Sequence, residues 1–316
     1  MRLLLVDGHY YLYRSFFAIR GLKNSLGEPT NAIYGFAKAL RKMLVDLKPD
    51  VAAVVWDAGL PERRTELQPA YKQHREEMPD ELVVQERPLR ELVSFLGFKS
   101  VLLPNTEADD LIASYVIAAR TEGIECVVAT NDKDILQLVR EGVSIYSVSK
   151  VDLENSKTGP TGYALLGIDE VKAKWGVEPA QIADVLALTG DAADNIPGVV
   201  GVGKKTAAKW IQQYGSLDAL LSEPNLEPKI KVKVDTSRTQ IEENRLMVGL
   251  DLDLPLPLPI SEMMITPRYP ELIKALKHFE FRSLTAEVEK EAKNAGVVIQ
   301  EEKKIERASQ QGEFAF

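Results

Sequence analysis

The chain has few of the residues that most often serve as soft metal ligands or nucleophiles: 316 residues include one cysteine, Cys126, and three histidines. A single thiol excludes an internal disulfide and is compatible with a reducing cytoplasm. Lying inside the apolar run IECVVA with no His or second Cys nearby, it reads as a small buried hydrophobe. Long apolar runs are also missing. Leu3–Val6 ends at Asp7, too short for a secretory signal, and no stretch is long enough to span a membrane. Positive charge is in deficit, with 39 Lys and Arg against 47 Asp and Glu, a net charge of −8. Taken alone, that balance argues against a nucleic-acid partner. Apolar residues at 45% and charged residues at 27% are ordinary for a globular protein. The length suits one large α/β domain or one domain with a helical appendage.

What is abundant is acid in particular places. Asp7 closes LLLVD, Asp57 closes VAAVVWD, and Glu107, Asp109 and Asp110 follow a further apolar segment. Asp132 and Asp134 follow VVATN, and Asp191 and Asp194 lie in TGDAADN. Each has a structural explanation as a turn or helix-capping residue, and Thr106 with Asp109 resembles a capping box. Capping needs one carboxylate, however, and Glu107, Asp109 and Asp110 crowd three into four residues. On a regular helix Glu107 and Asp110 share a face while Asp109 points elsewhere. Glu107 and Asp109 therefore reach one ion only if Glu107 precedes the regular helix. Carboxylates at the exits of successive strands line the edge where open α/β sheets place their sites. Hard divalent cations with oxygen ligands, Mg²⁺ or Mn²⁺, fit such a set. Two ions about 3.5–4 Å apart can serve the attacking and leaving oxygens of a phosphodiester. These residues point to a metal-dependent hydrolase.

The pattern along the chain predicts an α/β fold. Strands are expected at 2–6, Val51–Trp56, Phe98–Leu103, Ile124–Thr130 and Val143–Val148, with helices at Thr30–Asp46, Val83–Leu96, Glu107–Arg120 and Asp134–Val139 between them. That alternation gives a mostly parallel central sheet flanked by helices. The polar, proline-rich stretch from Gly59 to Leu82 reads as a loop or mobile helical segment. Ile168–Phe281 reads as several helices with no strand, and DLDLPLPLP from Asp251 as an extended connector. We expect an α/β domain over 1–165, a helical subdomain over 166–286 and a disordered tail over 287–316.

Two basic clusters stand beside the acids. Gly198 to Ala207 reads GVVGVGKKTA, close to a phosphate-binding loop, but Lys205 stands where Ser or Thr should hold Mg²⁺ and helical sequence precedes it. A helix–hairpin–helix turn fits better. Gly201 and Gly203 let backbone amides reach a phosphate at a helix start, with Lys204, Lys205, Thr206 and Lys209 around a DNA backbone. In the second cluster, Arg63, Arg64, Tyr71, Lys72 and Arg75, the i,i+3 spacing of Lys72 and Arg75 would form one basic helical face beside Tyr71. A solvated surface helix is the plain alternative.

In this order the motifs LLLVDGHYYLYRSFFA, AIYGFAKAL, VVWDA, AYKQHR, EADDLIAS, TNDKDILQLV and LTGDAADNIPGVVGVGKKTAAKWI closely resemble the 5′-nuclease family. That family comprises the amino-terminal 5′→3′ exonuclease domain of bacterial DNA polymerase I and its flap-endonuclease relatives. The resemblance implies a helical arch at 60–95 and a helix–three-turn–helix at 184–213, which in the family usually holds K⁺. It implies that Asp7, Asp57, Glu107 and Asp109, with Asp110 nearby, hold a first metal, and that Asp132, Asp134, Asp191 and Asp194 form the second-metal group. Lys72 and Arg75 match the basic pair that grips the scissile phosphate, Tyr71 a residue stacking on a terminal base, and Arg14 a basic residue near the active centre. The substrates implied are DNA flaps, nicks and RNA primers.

The chain departs from the family at Arg63-Arg64-Thr65 and over Asp152–Leu166. The ending Gln311-Gly-Glu-Phe314-Ala-Phe316 resembles peptides that dock in bacterial sliding clamps. A monomer in the bacterial cytoplasm, associated with the nucleoid, is expected, either standing alone or truncated from a polymerase. The alternatives are a catalytically weak flap- or junction-binding protein and, more distantly, a P-loop NTPase.

Overall fold

The computed structural model describes residues 1–155 and 162–298. The strands are β1 (Arg2–Asp7), β2 (Val51–Val55), β3 (Lys99–Val101), β4 (Glu125–Ala129), β5 (Val143–Ser147) and β6 (Ala164–Leu166). They form one sheet in the order β3-β2-β1-β4-β5-β6, parallel except for β6, which runs antiparallel to β5. Leu3–Val6 and Val51–Val55 are fully buried, as continuous apolar runs must be when helices cover both faces of a parallel sheet. Side chains alternate along each strand. Leu3, Leu5, Ala53 and Val55 enter one core with Leu111, Tyr115 and Leu186, while Leu4, Val6, Ala52 and Val54 enter the other with Phe36, Leu40 and Leu92.

The helices in chain order are α1 (Gly8–Ala18), α2 (Asn31–Leu47), α3 (Glu62–Leu67), α4 (Asp80–Phe95), α5 (Ala108–Thr121), α6 (Lys150–Asn155), α7 (Ile168–Trp175), α8 (Ile182–Thr189), α9 (Lys204–Tyr214), α10 (Leu217–Ser222), α11 (Pro228–Val248), α12 (Tyr269–His278) and α13 (Arg282–Asn294). Order runs outward along the sheet from β1 to β2 and β3, then returns across β1 to β4. The direction reverses beside β1, where the carboxyl ends of β1, β2 and β4 lie side by side, the usual place for a site in such sheets.

Several sequence expectations are corrected. The stretch beyond Gly59 holds the short helix α3 and a run of turns over 69–74, so Lys72 and Arg75 share no helical face. Lys72 instead adopts a left-handed φ of 55°. The helix expected at Val83–Leu96 is α4, which begins three residues earlier and accommodates Pro88 in its interior. Part of the segment expected to be disordered from Glu287 is helical, because α13 continues to Asn294. Leu284, Val288 and Ala292, four residues apart, are buried, and Arg41 of α2 pairs with Glu287 (3.2 Å) and Glu291 (2.7 Å). Charge on the outer face hid this apolar stripe. Segment 152–166 contributes the end of α6 and the edge strand β6, and its residues 156–161, like 299–316, lie outside the described residues.

Candidate active site

Asp7 is the last residue of β1 and caps α1. Its carboxylate accepts from the Tyr10 amide and from Thr130 Oγ1, both at 2.9 Å. Asp57 leaves β2, and its Oδ1 accepts from the Ala108 amide at 2.7 Å while Oδ2 lies 3.0 Å from His9 Nδ1. Glu107 occupies the position before α5 in an extended conformation, φ −79° and ψ 148°, so it does precede the regular helix. Thr106, expected as the cap, instead bonds the Pro104 carbonyl at 3.3 Å. Asp132 accepts from the Asp134 amide at 2.8 Å and donates its own amide to Thr130 Oγ1 at 3.1 Å, linking the β4 exit to Asp7. Asp191 caps a 3₁₀ turn over Ala192–Asp194 and pairs with Lys133 at 2.6 Å.

Asp134, Asp191 and Asp194 converge, their nearest oxygens all within 4.8 Å of one another. Asp134 Oδ1 is buried with no hydrogen-bond partner. Few native polar atoms are left in that state, and an oxygen among three converging carboxylates suits a divalent cation. Electrostatics agrees. Burial, then the charges of Asp57 and Asp132, push Asp7 up to about 7 against the hydrogen bonds it accepts. Burial and the charge of Asp132 raise Asp109 and Asp134 well above the carboxylate range, Asp7 adding to the first and Asp191 to the second. Asp132 is raised chiefly by burial. Asp57 behaves differently: burial would raise it, but the His9 hydrogen bond and charge outweigh that and pull it down. Like charges crowded out of water either take up protons or bind cations.

Asp110 is not among them. Fully buried, it forms a bidentate pair with Arg64 at 2.7 and 2.8 Å and accepts from the Asp251 amide at 3.0 Å. Arg64 also bonds Glu107 and the carbonyls of Met247 (3.0 Å) and Gly249 (2.9 Å). Sequence reasoning saw Arg64 only as a surface charge and a family departure; its polar neighbours Arg63, Thr65 and Glu66 carry no sign of burial. His9 at Asp57, Thr130 and Lys133 were likewise not picked out as parts of the site. Tyr71 is 4% exposed, and its hydroxyl bonds Glu107 and Asp194, so its ring offers no stacking face in this conformation. Lys72 pairs with Glu107 and lies 3.6 Å from Asp194, and Arg75 lies 2.6 Å from Asp194. Arg14 is exposed, 3.4 Å from the Tyr10 hydroxyl.

The glycine turn joins α8 to α9, as a helix–hairpin–helix requires and a strand-led phosphate loop does not. Gly201 has φ 69°, Gly203 caps α9, and Lys204, Lys205, Thr206 and Lys209 are exposed while Ala207, Trp210 and Ile211 pack inward. Lys204 Nζ sits 3.6 Å from the centre of the Trp175 ring. Asn244 of α11 ties the turn down through the carbonyls of Ala187 (3.0 Å) and Pro197 (2.7 Å).

The 5′-3′ exonuclease N-terminal resolvase-like domain matches residues 2–176, and the 5′-3′ exonuclease C-terminal SAM fold matches 177–271. The chain belongs to the 5′-3′ exonuclease family. A stand-alone 5′-3′ exonuclease of Aquifex aeolicus is 35% identical over 91% of this chain and 95% of its own length. The thermostable DNA polymerase I of Thermus thermophilus is 39% identical over 79% of the chain, which spans only 29% of that polymerase. Among solved structures, zinc-bound T5 5′-exonuclease matches at a TM-score of 0.63, 20% identity and 79% of this chain against 90% of its own. The catalytic core of Rad2 with a DNA substrate matches at 0.60, 14% identity and 91% against 90%. At those identities the exonuclease fold is what the solved structures share with this chain. None of the described helices is long and apolar enough to cross a membrane.

Proposed function

We propose that this chain is a divalent-metal-dependent 5′→3′ exonuclease and 5′-flap endonuclease acting on DNA flaps, nicks and RNA primers in replication and repair. The observation that carries this reading is the convergence of Asp134, Asp191 and Asp194 around a buried, unpartnered Asp134 oxygen, beside Asp7, Asp57 and Asp132 at the carboxyl edge of the sheet. Asp7, Asp57, Glu107 and Asp109 would hold one Mg²⁺ or Mn²⁺, and Asp132, Asp134, Asp191 and Asp194 a second. When bound, such ions neutralise charge on the scissile phosphate and lower the pKa of an attacking water. Asp110 is assigned instead to Arg64. Lys72 and Arg75 lie beside the same carboxylates and supply positive charge to the phosphate. The turn through Gly201 and Gly203, with Lys204, Lys205, Thr206 and Lys209, holds a duplex backbone without reading bases. The Aquifex enzyme's name and the DNA and zinc in the Rad2 and T5 structures support this assignment. K⁺ at the turn is less well supported, since Lys233 Nζ already donates to the Val200 carbonyl at 2.5 Å.

The test is Mg²⁺-dependent cleavage of a 5′-labelled single-flap DNA by wild type, Asp57→Ala and Asp134→Asn. Cutting near the junction that both substitutions abolish while flap binding persists is the expected result. Tight flap binding without cutting by wild type would replace the reading with a binding-only protein. A monomer in light scattering, and loss of sliding-clamp affinity on deleting Gln311–Phe316, are the corresponding expectations for partners; that peptide lies outside the described residues.

A further inference from the structure

One short loop reaches both carboxylate groups. From Gln68 to Arg75 the chain docks on the Asp191–Asn195 turn, with Gln68 Nε2 donating to the Asn195 carbonyl at 2.6 Å and Asn195 Nδ2 to the Ala70 carbonyl at 2.9 Å. The Lys72 amide donates to the Asp194 carbonyl at 3.3 Å. Its ammonium, nine-tenths buried, lies between Glu107 of the first group and Asp194 of the second, with Arg75 on the other Asp194 oxygen and the Tyr71 hydroxyl on both acids. Lys72 holds this position in a left-handed backbone conformation that a lysine rarely adopts and that other conformations would relieve. Lys72 and Arg75, with Arg64 also on Glu107, thus neutralise the acids nearest the loop, whereas Asp134, beyond their contacts, keeps an orphaned oxygen.

We propose that residues 68–75 form a counter-ion clamp. Without divalent cations, Lys72 and Arg75 stand in for them at Glu107 and Asp194. Divalent cations compete for the same oxygens, and their binding frees the loop and its two charges to turn toward a phosphate. The inference rests on the metal-dependent reading above and adds an order to it, cation first and phosphate grip second. It also makes Lys72 an antagonist of metal binding, the reverse of what a residue that merely shapes the site would be.

The test uses Mn²⁺ alone, without DNA, on the full chain. Calorimetric titration of wild type, Lys72→Ala and Lys72→Gln should show Mn²⁺ binding tightened about tenfold in both variants, equivalent to about 1.4 kcal/mol. Arg87→Ala, at an exposed arginine paired with Glu91 on α4, should leave it unchanged. Hydrogen exchange of the amides in 68–75 should quicken when wild type is saturated with Mn²⁺. Equal or weaker Mn²⁺ binding in folded Lys72 variants, or exchange that slows on saturation, would overturn the clamp while leaving the nuclease reading intact. Failure of wild type to bind Mn²⁺ at all would overturn both.

Discussion

Arg64 is the residue whose loss should be felt most widely. Its side chain is 3% exposed and its two partners, Asp110 and Glu107, are 0% and 5% exposed. It joins α3 to the start of α5 and to the chain leaving α11. In Arg64→Ala, Glu107 keeps Lys72 and Tyr71, but the fully buried Asp110 carboxylate retains only the Asp251 amide. Leaving a buried charge unpaired costs about 3–5 kcal/mol. That is a large fraction of the roughly 5–15 kcal/mol by which a folded domain is stable. For a chain of this size the melting temperature should fall by about 5–8 °C. Burial would lower the pKa of Arg64, but Asp110 and Glu107 hold it above the usual range, so the guanidinium stays charged at every accessible pH. Replacing both partners, as in Arg64→Met with Asp110→Leu, removes the unpaired charge and should recover most of the loss. Urea denaturation of the wild type, the single variant and the double variant measures the three stabilities. A single variant within about 1 kcal/mol of wild type, or a double variant no better than the single one, would refute the reasoning.

Further outcomes follow from the same geometry. Asp7 titrates at about 7 in the fold against 3.8 unfolded, so between those values the folded form binds more protons. Its contribution is complete below 3.8 and is lost as pH rises through about 7. In EDTA, raising pH from 5 to 8 should therefore destabilise wild type more than Asp7→Asn, and equal slopes in thermal melts would contradict the assignment. Asp134→Asn should raise the melting temperature of metal-free protein by relieving repulsion while weakening Mn²⁺ binding at least about tenfold; a metal-free melt below that of wild type would count against it. A Cβ on Gly198 would lie 2.1 Å from the Thr189 carbonyl oxygen, so Gly198→Ala should cost about 2 kcal/mol or more and loosen the glycine turn proposed to hold the duplex, as seen by denaturation and duplex affinity. Lys205→Ala should flatten the salt dependence of duplex binding by about 0.9 in log–log slope if it meets one phosphate; an unchanged slope would remove it from the interface.

Much of this was legible because it rested on short-range rules. Leu3–Val6, Val51–Val55 and the IECVVA run are continuous apolar stretches that only a covered parallel strand explains, and each delivered its acid to the expected edge. The helix was expected from Glu107 itself, and the condition that Glu107 and Asp109 reach one ion only if Glu107 precedes the helix matches its place at the cap of α5. What failed depended on tertiary partners. Arg64 and Asp110 were misassigned because burial of an ion pair leaves no periodic trace in a polar stretch. Lys72 and Arg75 have helical spacing, yet the pull of Glu107 and Asp194 won over helix propensity. Strand β6, three residues long, is set by its pairing with β5 and not by its composition.

The return of α12 and α13 to the sheet has a consequence for how the protein is made. Leu272, Leu276, Leu284 and Val288 complete the same core as Leu4, Phe36 and Leu40, more than two hundred residues earlier in synthesis. A nascent chain halted before α12 would carry every acid of the site and the whole glycine turn, yet leave α2 and α4 with uncovered apolar faces. Such a fragment should aggregate or recruit chaperones, so shortening the chain at this point would appear as a folding failure even though no residue assigned to chemistry had been removed.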